Sequence, residues 1–239
     1  MRYFIVFSYD GTKFHGFQRQ KDVKNVQGTI EDTLTKVLKE DIVIKGSGRT
    51  DAGVHAYGQT ATFDVSRKIE LAEKRLIKET LHKEIRFRRF RQVNSDFHAR
   101  FSAQGKWYRY KINLGTYNSK YIGYYYQPRF KVDINNIIKA KEIFLGTHDF
   151  HNFVSGYRDN YETTINSIDI TYENDILIID FKGKAFYRYM IRNLVGALLD
   201  IGKNKVSISE VKKMLNDKNL EKQLTTVPAD GLYLMEVYY

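Results

Sequence analysis

Apolar positions recur along this chain with two periods, and their succession divides it into two runs of similar order. Arg2–Asp10 is an apolar-rich stretch of strand length, and Val26, Ile30, Leu34, Val37 and Leu38 follow at helical spacing. Ile42–Ser47 and Tyr57–Val65 predict strands on either side of a Gly-rich turn. Ile69–Thr80 predicts a helix, and Ile85–Val93 a strand carrying Arg86, Arg88, Arg89 and Arg91. Strict alternation cannot put those four arginines on one face, so only some are expected to reach a ligand.

The same order returns downstream. Gly105–Leu114 predicts a strand whose Tyr108, Tyr110, Ile112 and Leu114 share one face. Ile134, Ile137, Ile138, Lys141, Phe144 and Leu145 mark a helix. Thr163–Tyr172 and Asp175–Phe181 predict strands, and Ala185–Ile201 a long apolar helix with Gly202 placed as its stop. On that helix Arg188 and Arg192 stand four apart, on one face. Ser207 and Glu210 have capping-box spacing, and a turn at Pro228–Gly231 leads to a last strand, Leu232–Tyr239. Two β-α-β-β-α-β runs predict an α+β protein of two ferredoxin-like halves, residues 1–102 and 103–239, with antiparallel sheets and a cleft between them. Tyr117–Phe130 is a long connection that reads equally as a binding loop or a surface flap.

Composition narrows the chemistry. Of 239 residues 42% are apolar, enough for a core, and Cys is absent, which excludes disulfides, thiolate metal sites and a cysteine nucleophile. No apolar run approaches the roughly 20 residues of a membrane span, and the first residues enter a strand pattern without a signal-peptide pattern, so a soluble, cytoplasmic protein is expected. The net charge is +11, shared by both halves, beside 18 Tyr, 15 Phe and one Trp. Cations hold phosphates and ring faces stack on exposed bases, so this mixture suits RNA, although a basic surface over a Tyr-rich core has the same composition. His148-Asp149-Phe150-His151 offers too few ligands for a metal site, and none is expected. Lys182–Phe186 approaches the third-strand signature of an RNA-recognition motif but has Lys184 at an aromatic position.

Gly46-Ser47-Gly48-Arg49-Thr50-Asp51-Ala52-Gly53-Val54-His55 is the most informative stretch. Small residues crowd one Arg and one Asp between two strands. It is neither a dinucleotide fingerprint nor a P-loop, and by spacing alone it is a turn.

Gly48–Ala56 resembles the signature of the tRNA pseudouridine synthase A family. Further matches lie at Asp10-Gly11-Thr12 with Phe17-Gln18, Val26–Glu31, Asp96–Ser102 followed by Lys106–Tyr110, Met190–Gly196 and Ala229–Leu234. One region departs: in Lys78–Arg86, Lys78 and His82 stand where the family usually has Asn and Pro.

The resemblance implies isomerisation of uridine to pseudouridine in the 3′ side of the anticodon stem-loop of tRNA, by a homodimer that needs no cofactor. It makes Asp51 the catalytic carboxylate, Arg192 its charge partner, Tyr108 the group over the target base, and Arg49 the residue that holds the flipped nucleotide. Read without it, Arg192 is a helix Arg reaching to solvent, Tyr108 a core tyrosine and Arg49 a salt-bridge partner closing the turn. Phe97, His98, Ala99, Arg100 and Phe101, with Arg158 and Arg188, are the expected RNA contacts. Two other classes remain: a non-catalytic RNA binder or chaperone on the same scaffold, and a hydrolytic glycosidase, which usually needs a second carboxylate.

Overall fold

Alternation along the first strand is borne out by burial: Tyr3, Ile5, Phe7 and Tyr9 are all covered. The computed structural model describes residues 1–220 and 224–239. Two compact units form, Met1–Gln104 with Tyr233–Tyr239, and Gly105–Leu232. The strands pair mostly antiparallel, and five α-helices accompany them among the described residues.

In the first unit, β1 (Arg2–Tyr9) lies between β3 (His55–Asp64) and β4 (Ile85–Val93), antiparallel to both. On its other side β3 takes β2 (Lys45–Gly46) at Thr62 and Ala61, and β9 (Leu232–Tyr238), in parallel, at His55 and Ala56. The final strand, expected in the second half, therefore groups with the first unit. Gly58 lies against it so closely that a Cβ would stand 2.4 Å from the Met235 carbonyl oxygen. Helix α1 (Val26–Leu38) starts on Asn25, whose side chain accepts from the Gly28 N–H, and buries Val26, Ile30, Leu34 and Leu38. Helix α2 (Leu71–Leu81) opens on a Glu70–Glu73 capping box, and the Ile69 N–H before it donates to the Tyr3 hydroxyl.

The strand expected over 42–47 shrinks to two residues. Ile42 and Ile44 donate their N–H groups to the Thr35 hydroxyl and the Glu31 carboxylate of α1, so helix side chains satisfy backbone that would otherwise enter the sheet.

The second unit has the antiparallel order β5-β8-β7-β6: β5 (Gly105–Asn113), β8 (Ile176–Gly183), β7 (Glu162–Glu173) and the short β6 (Gly146–Asp149). With them are α3 (Ile134–Ala140), α4 (Met190–Gly202) and α5 (Ile208–Asn216), the last with the expected Ser207–Glu210 capping box. On one face of β5 Tyr108, Tyr110 and Ile112 are buried; Leu114 lies beyond the strand. Opposite, Asp180 accepts from the Trp107 indole at 2.7 Å and from Arg109 through two bonds at 2.9 and 2.8 Å.

Helix α4 starts five residues later than expected because Tyr189, at φ 62°, is left-handed and cannot continue a helix. Gly202 does end it, but for packing: a Cβ there would lie 2.8 Å from Ile137 of α3. The 117–130 connection bonds along β5 through Asn113, Lys111 and Tyr126, as a flap does.

Candidate active site

The loop from Ser47 to Val54 joins β2 to β3, and nearly every tie that holds it involves backbone. The Ser47 N–H donates to the Thr60 carbonyl at 2.9 Å, and the Phe17 N–H donates to the Thr50 carbonyl at 3.0 Å. Buried Gln59 accepts from the Ser47 hydroxyl and donates to the Gly48 carbonyl. The Tyr9 and Thr50 hydroxyls bond at 2.8 Å, and burial pushes the Tyr9 hydroxyl up to about 12.

Glycine is needed where the segment before α1 presses on this loop. At Gly16 φ is +84°, and a Cβ would lie 3.0 Å from the Thr50 carbonyl oxygen; at Gly11 it would meet the Val54 carbonyl oxygen at 2.4 Å. Gly53, at φ 82°, lets the turn close with the Val54 N–H on the Asp51 carbonyl. The result is a rigid mount for Asp51, which is half-buried, while Arg49 points outward and is exposed. Below it, buried His55 accepts the Gly11 N–H at 3.1 Å and stacks on Tyr233, ring centroids 4.5 Å apart.

In the second unit Tyr108 is 7% exposed and meets Phe186 edge to face. Arg192 is half-buried on the first turn of α4. Its Nε donates to the Val227 carbonyl at 2.7 Å, the Val227 N–H returns a bond to the Arg192 carbonyl, and its guanidinium carbon lies 4.4 Å from the centre of the Tyr189 ring. Asn193 and Thr226 bond at 2.6 Å beside it, and a Cβ on Gly196 would overlap the Thr225 carbonyl oxygen. Asp200 is wholly buried; burial pushes its carboxyl up, but bonds from Lys203 and Thr225 outweigh that and hold it below its ordinary value.

Arg188 shares no helix face with Arg192, because it precedes the helix. The two arginines instead flank Tyr189, at 5.2 and 4.4 Å from its ring centre. Arg158 joins this cluster, 4.0 Å over Tyr187. The two tyrosines carry no sequence signal: their spacing resembles that of any aromatic run, and only the left-handed turn exposes their part in holding the cations.

Of the five consecutive residues from Phe97, two serve the fold. Phe97 meets Phe4 and Tyr239, each at 5.1 Å, and Ala99 has no exposed surface, its carbonyl accepting the Tyr239 hydroxyl. Arg100 and Phe101 stand outside, Phe101 78% exposed, with half-buried His98 between, its pKa lowered by burial and by nearby Lys45, Arg2 and Arg100. The residues of the His-Asp-Phe-His run are engaged within the fold: His148 with the Leu145 carbonyl, and Asp149 with Lys218 and the His151 N–H.

On β4 the strand itself overturns the expectation of alternation. Phe87 lies opposite Phe7 and Arg89 opposite Val6, so Arg88 is an extra, bulged residue. The pattern changes phase there, and Arg86, Arg89 and Arg91 share the face of Ser8, Val6 and Phe4.

A sequence model of the family described as tRNA pseudouridine synthase matches residues 5–102 and 140–239. Relatives named tRNA pseudouridine synthase A include those of Lactobacillus helveticus, 38% identical over all of this chain and 94% of the relative, and Streptococcus uberis, 37% identical over 100% and 98%. That of Mycoplasmoides gallisepticum is 37% identical over 98% of this chain and 90% of its own length.

Proposed function

This chain belongs to the tRNA pseudouridine synthase family, and from that premise we propose that it converts uridine to pseudouridine in the 3′ side of the anticodon stem-loop of tRNA, with Asp51 as the reacting carboxylate. The reaction breaks the bond from ribose C1′ to N1 and forms one from C1′ to C5; C5 loses its proton and N1 gains one. No electron acceptor is consumed. The observation that carries the reading is the mount of Asp51: a half-buried carboxylate on a loop fixed by backbone bonds to Phe17 and Thr60. A group so held keeps its geometry when a nucleotide arrives, which is where a positioned catalyst gains its rate.

A paired uridine is unreachable until it is flipped out of its stem, at a cost of a few kcal/mol. Exposed Arg49, two residues before Asp51, fills the vacated place or holds the flipped nucleotide. Tyr108 meets the base, and Arg192 offers its guanidinium to the carboxylate, offsetting the desolvation that would protonate it. Arg158, Arg188, Arg100, Phe101 and His98 contact the RNA around it. The strand order β4-β1-β3, with β2 outside β3, supports a ferredoxin-like reading of the first unit. We further propose that the enzyme works in the cytoplasm as a homodimer; a sedimentation mass near one chain at micromolar concentration contradicts the dimer.

The test is chemical mapping of pseudouridine in unmodified tRNA transcripts incubated with the purified protein. Product confined to anticodon-stem uridines supports the reading, and product elsewhere moves the target. No product from several tightly bound tRNAs overturns it.

A further inference from the structure

We propose that the outer face of β4 is a track for RNA backbone, on which Arg86, Arg88, Arg89 and Arg91 hold phosphates of the strand leading away from the modified uridine. The inference rests on the reading of Asp51 as the site of reaction and adds the path the RNA takes from it.

The face is created by the bulge. With unbroken alternation from Ile85, Arg89 and Arg91 would turn toward the core side and Phe90 outward. The extra residue at Arg88 reverses this: Phe90 packs at 5.7 Å from Tyr3 and 6.0 Å from Phe63, and the arginines face away from α2. All four are exposed.

Their electrostatic state separates them from other arginines of the unit. Arg2 is clamped by Asp64, Arg19 by Glu31 and Asp32, and Arg67 by Glu73. None of the four on β4 has a carboxylate within ion-pair distance among the described residues; Arg88 reaches the Tyr57 carbonyl, and Arg91 lies 5.5 Å over the Phe4 ring. Charge on an outermost strand also guards against edge-to-edge pairing, but one or two cations suffice for that. Four without counter-charges concentrate positive potential, and the complementary partner is a polyanion.

Direction follows from register. Arg86 lies opposite Ser8, next to Tyr9, whose hydroxyl bonds Thr50 in the Asp51 loop. Arg91 lies opposite Phe4, toward the other end of β1. At a rise of about 3.3 Å per residue the row spans about 13 to 16 Å. It therefore begins at the strand end beside the loop and leads away from it.

The experiment replaces all four arginines by Gln, and in a second variant by Lys. Binding of an unmodified tRNA transcript is measured from about 50 to 300 mM KCl, with thermal melting and single-turnover pseudouridine formation at saturating enzyme. Each lost phosphate contact flattens the plot of log affinity against log salt by about 0.7 to 0.9, so the Gln variant should be shallower by about 2 to 3 and bind at least tenfold more weakly near 0.1 M salt. Its single-turnover rate should stay within about twofold of wild type, and the Lys variant should recover the slope. A folded Gln variant with wild-type affinity and slope overturns the track, as does a Lys variant that fails to recover them. Failure of the synthase reading looks different: wild type and variant then differ in salt slope while neither makes pseudouridine.

Discussion

The loop that carries Asp51 and the helix start that carries Arg192 solve the same problem by different means. Around Asp51 the ties run through backbone, from Ser47 to Thr60, Phe17 to Thr50 and Val54 to Asp51, and glycines at 11 and 16 let the chains close to contact distance. Around Arg192 the ties run through a side chain: one face of the guanidinium rests on Tyr189, and its Nε holds the Val227 carbonyl. A carboxylate on a short side chain is placed once its backbone is placed. An arginine has a long flexible side chain, so fixing its Cα leaves its charge unplaced, and the ring and carbonyl supply what the helix cannot.

The comparison can be broken first at its most buried charge. Asp200→Asn removes a carboxylate that holds Lys203, Lys205 and Thr225 behind Arg192, and should cost about 3 to 5 kcal/mol in denaturant unfolding. Because this carboxyl titrates below its ordinary 3.8 in the folded protein, its contribution is complete above the unfolded-state value and disappears as pH falls through the folded-state value. The Asn variant should therefore show less acid destabilisation than wild type, and equal acid sensitivity would contradict the assignment.

Arg192→Lys keeps the charge and loses the fork. Pseudouridine formation under saturating RNA should fall about 100-fold with little change in RNA affinity. Gly16→Ala attacks the other region: a side chain at φ +84° and 3.0 Å from the Thr50 carbonyl oxygen should cost about 1 to 3 kcal/mol, read by thermal melting, and lower turnover by displacing the loop. Smallest is the Tyr189 pair. Tyr189→Phe keeps the ring and should leave turnover within about twofold, whereas Tyr189→Gly, at ease at φ 62°, should lower turnover by about threefold to tenfold without destabilising the fold. Equal effects of Phe and Gly would mean the ring does not place Arg192.

The two regions also differed in how far sequence disclosed them. The Gly-Arg-Thr-Asp-Ala-Gly run announced a close turn around one carboxylate, because backbone proximity demands glycine and glycine is visible in a sequence. Tyr189 gave no such signal: its left-handed backbone is set by tertiary contacts, and the apolar run through it imitates a helix. The β4 bulge was hidden for a related reason, since periodicity presumes an unbroken ladder and one extra residue reverses every side chain beyond it. β6, with Gly146, Thr147, His148 and Asp149, had no apolar pattern to detect. Long periodic elements such as α1 and β4 were legible to within a residue or two because their burial and their period coincide.

The central claim is that Asp51 does chemistry that binding does not require. Its most direct test compares wild type with Asp51→Asn in single-turnover pseudouridine formation, with tRNA binding measured on the same preparations. The account predicts unchanged binding and a rate lowered at least about 10⁴-fold. An Asp51→Asn enzyme that still converts uridine within about tenfold of the wild-type rate would contradict it and send the search for the reacting group elsewhere in the molecule.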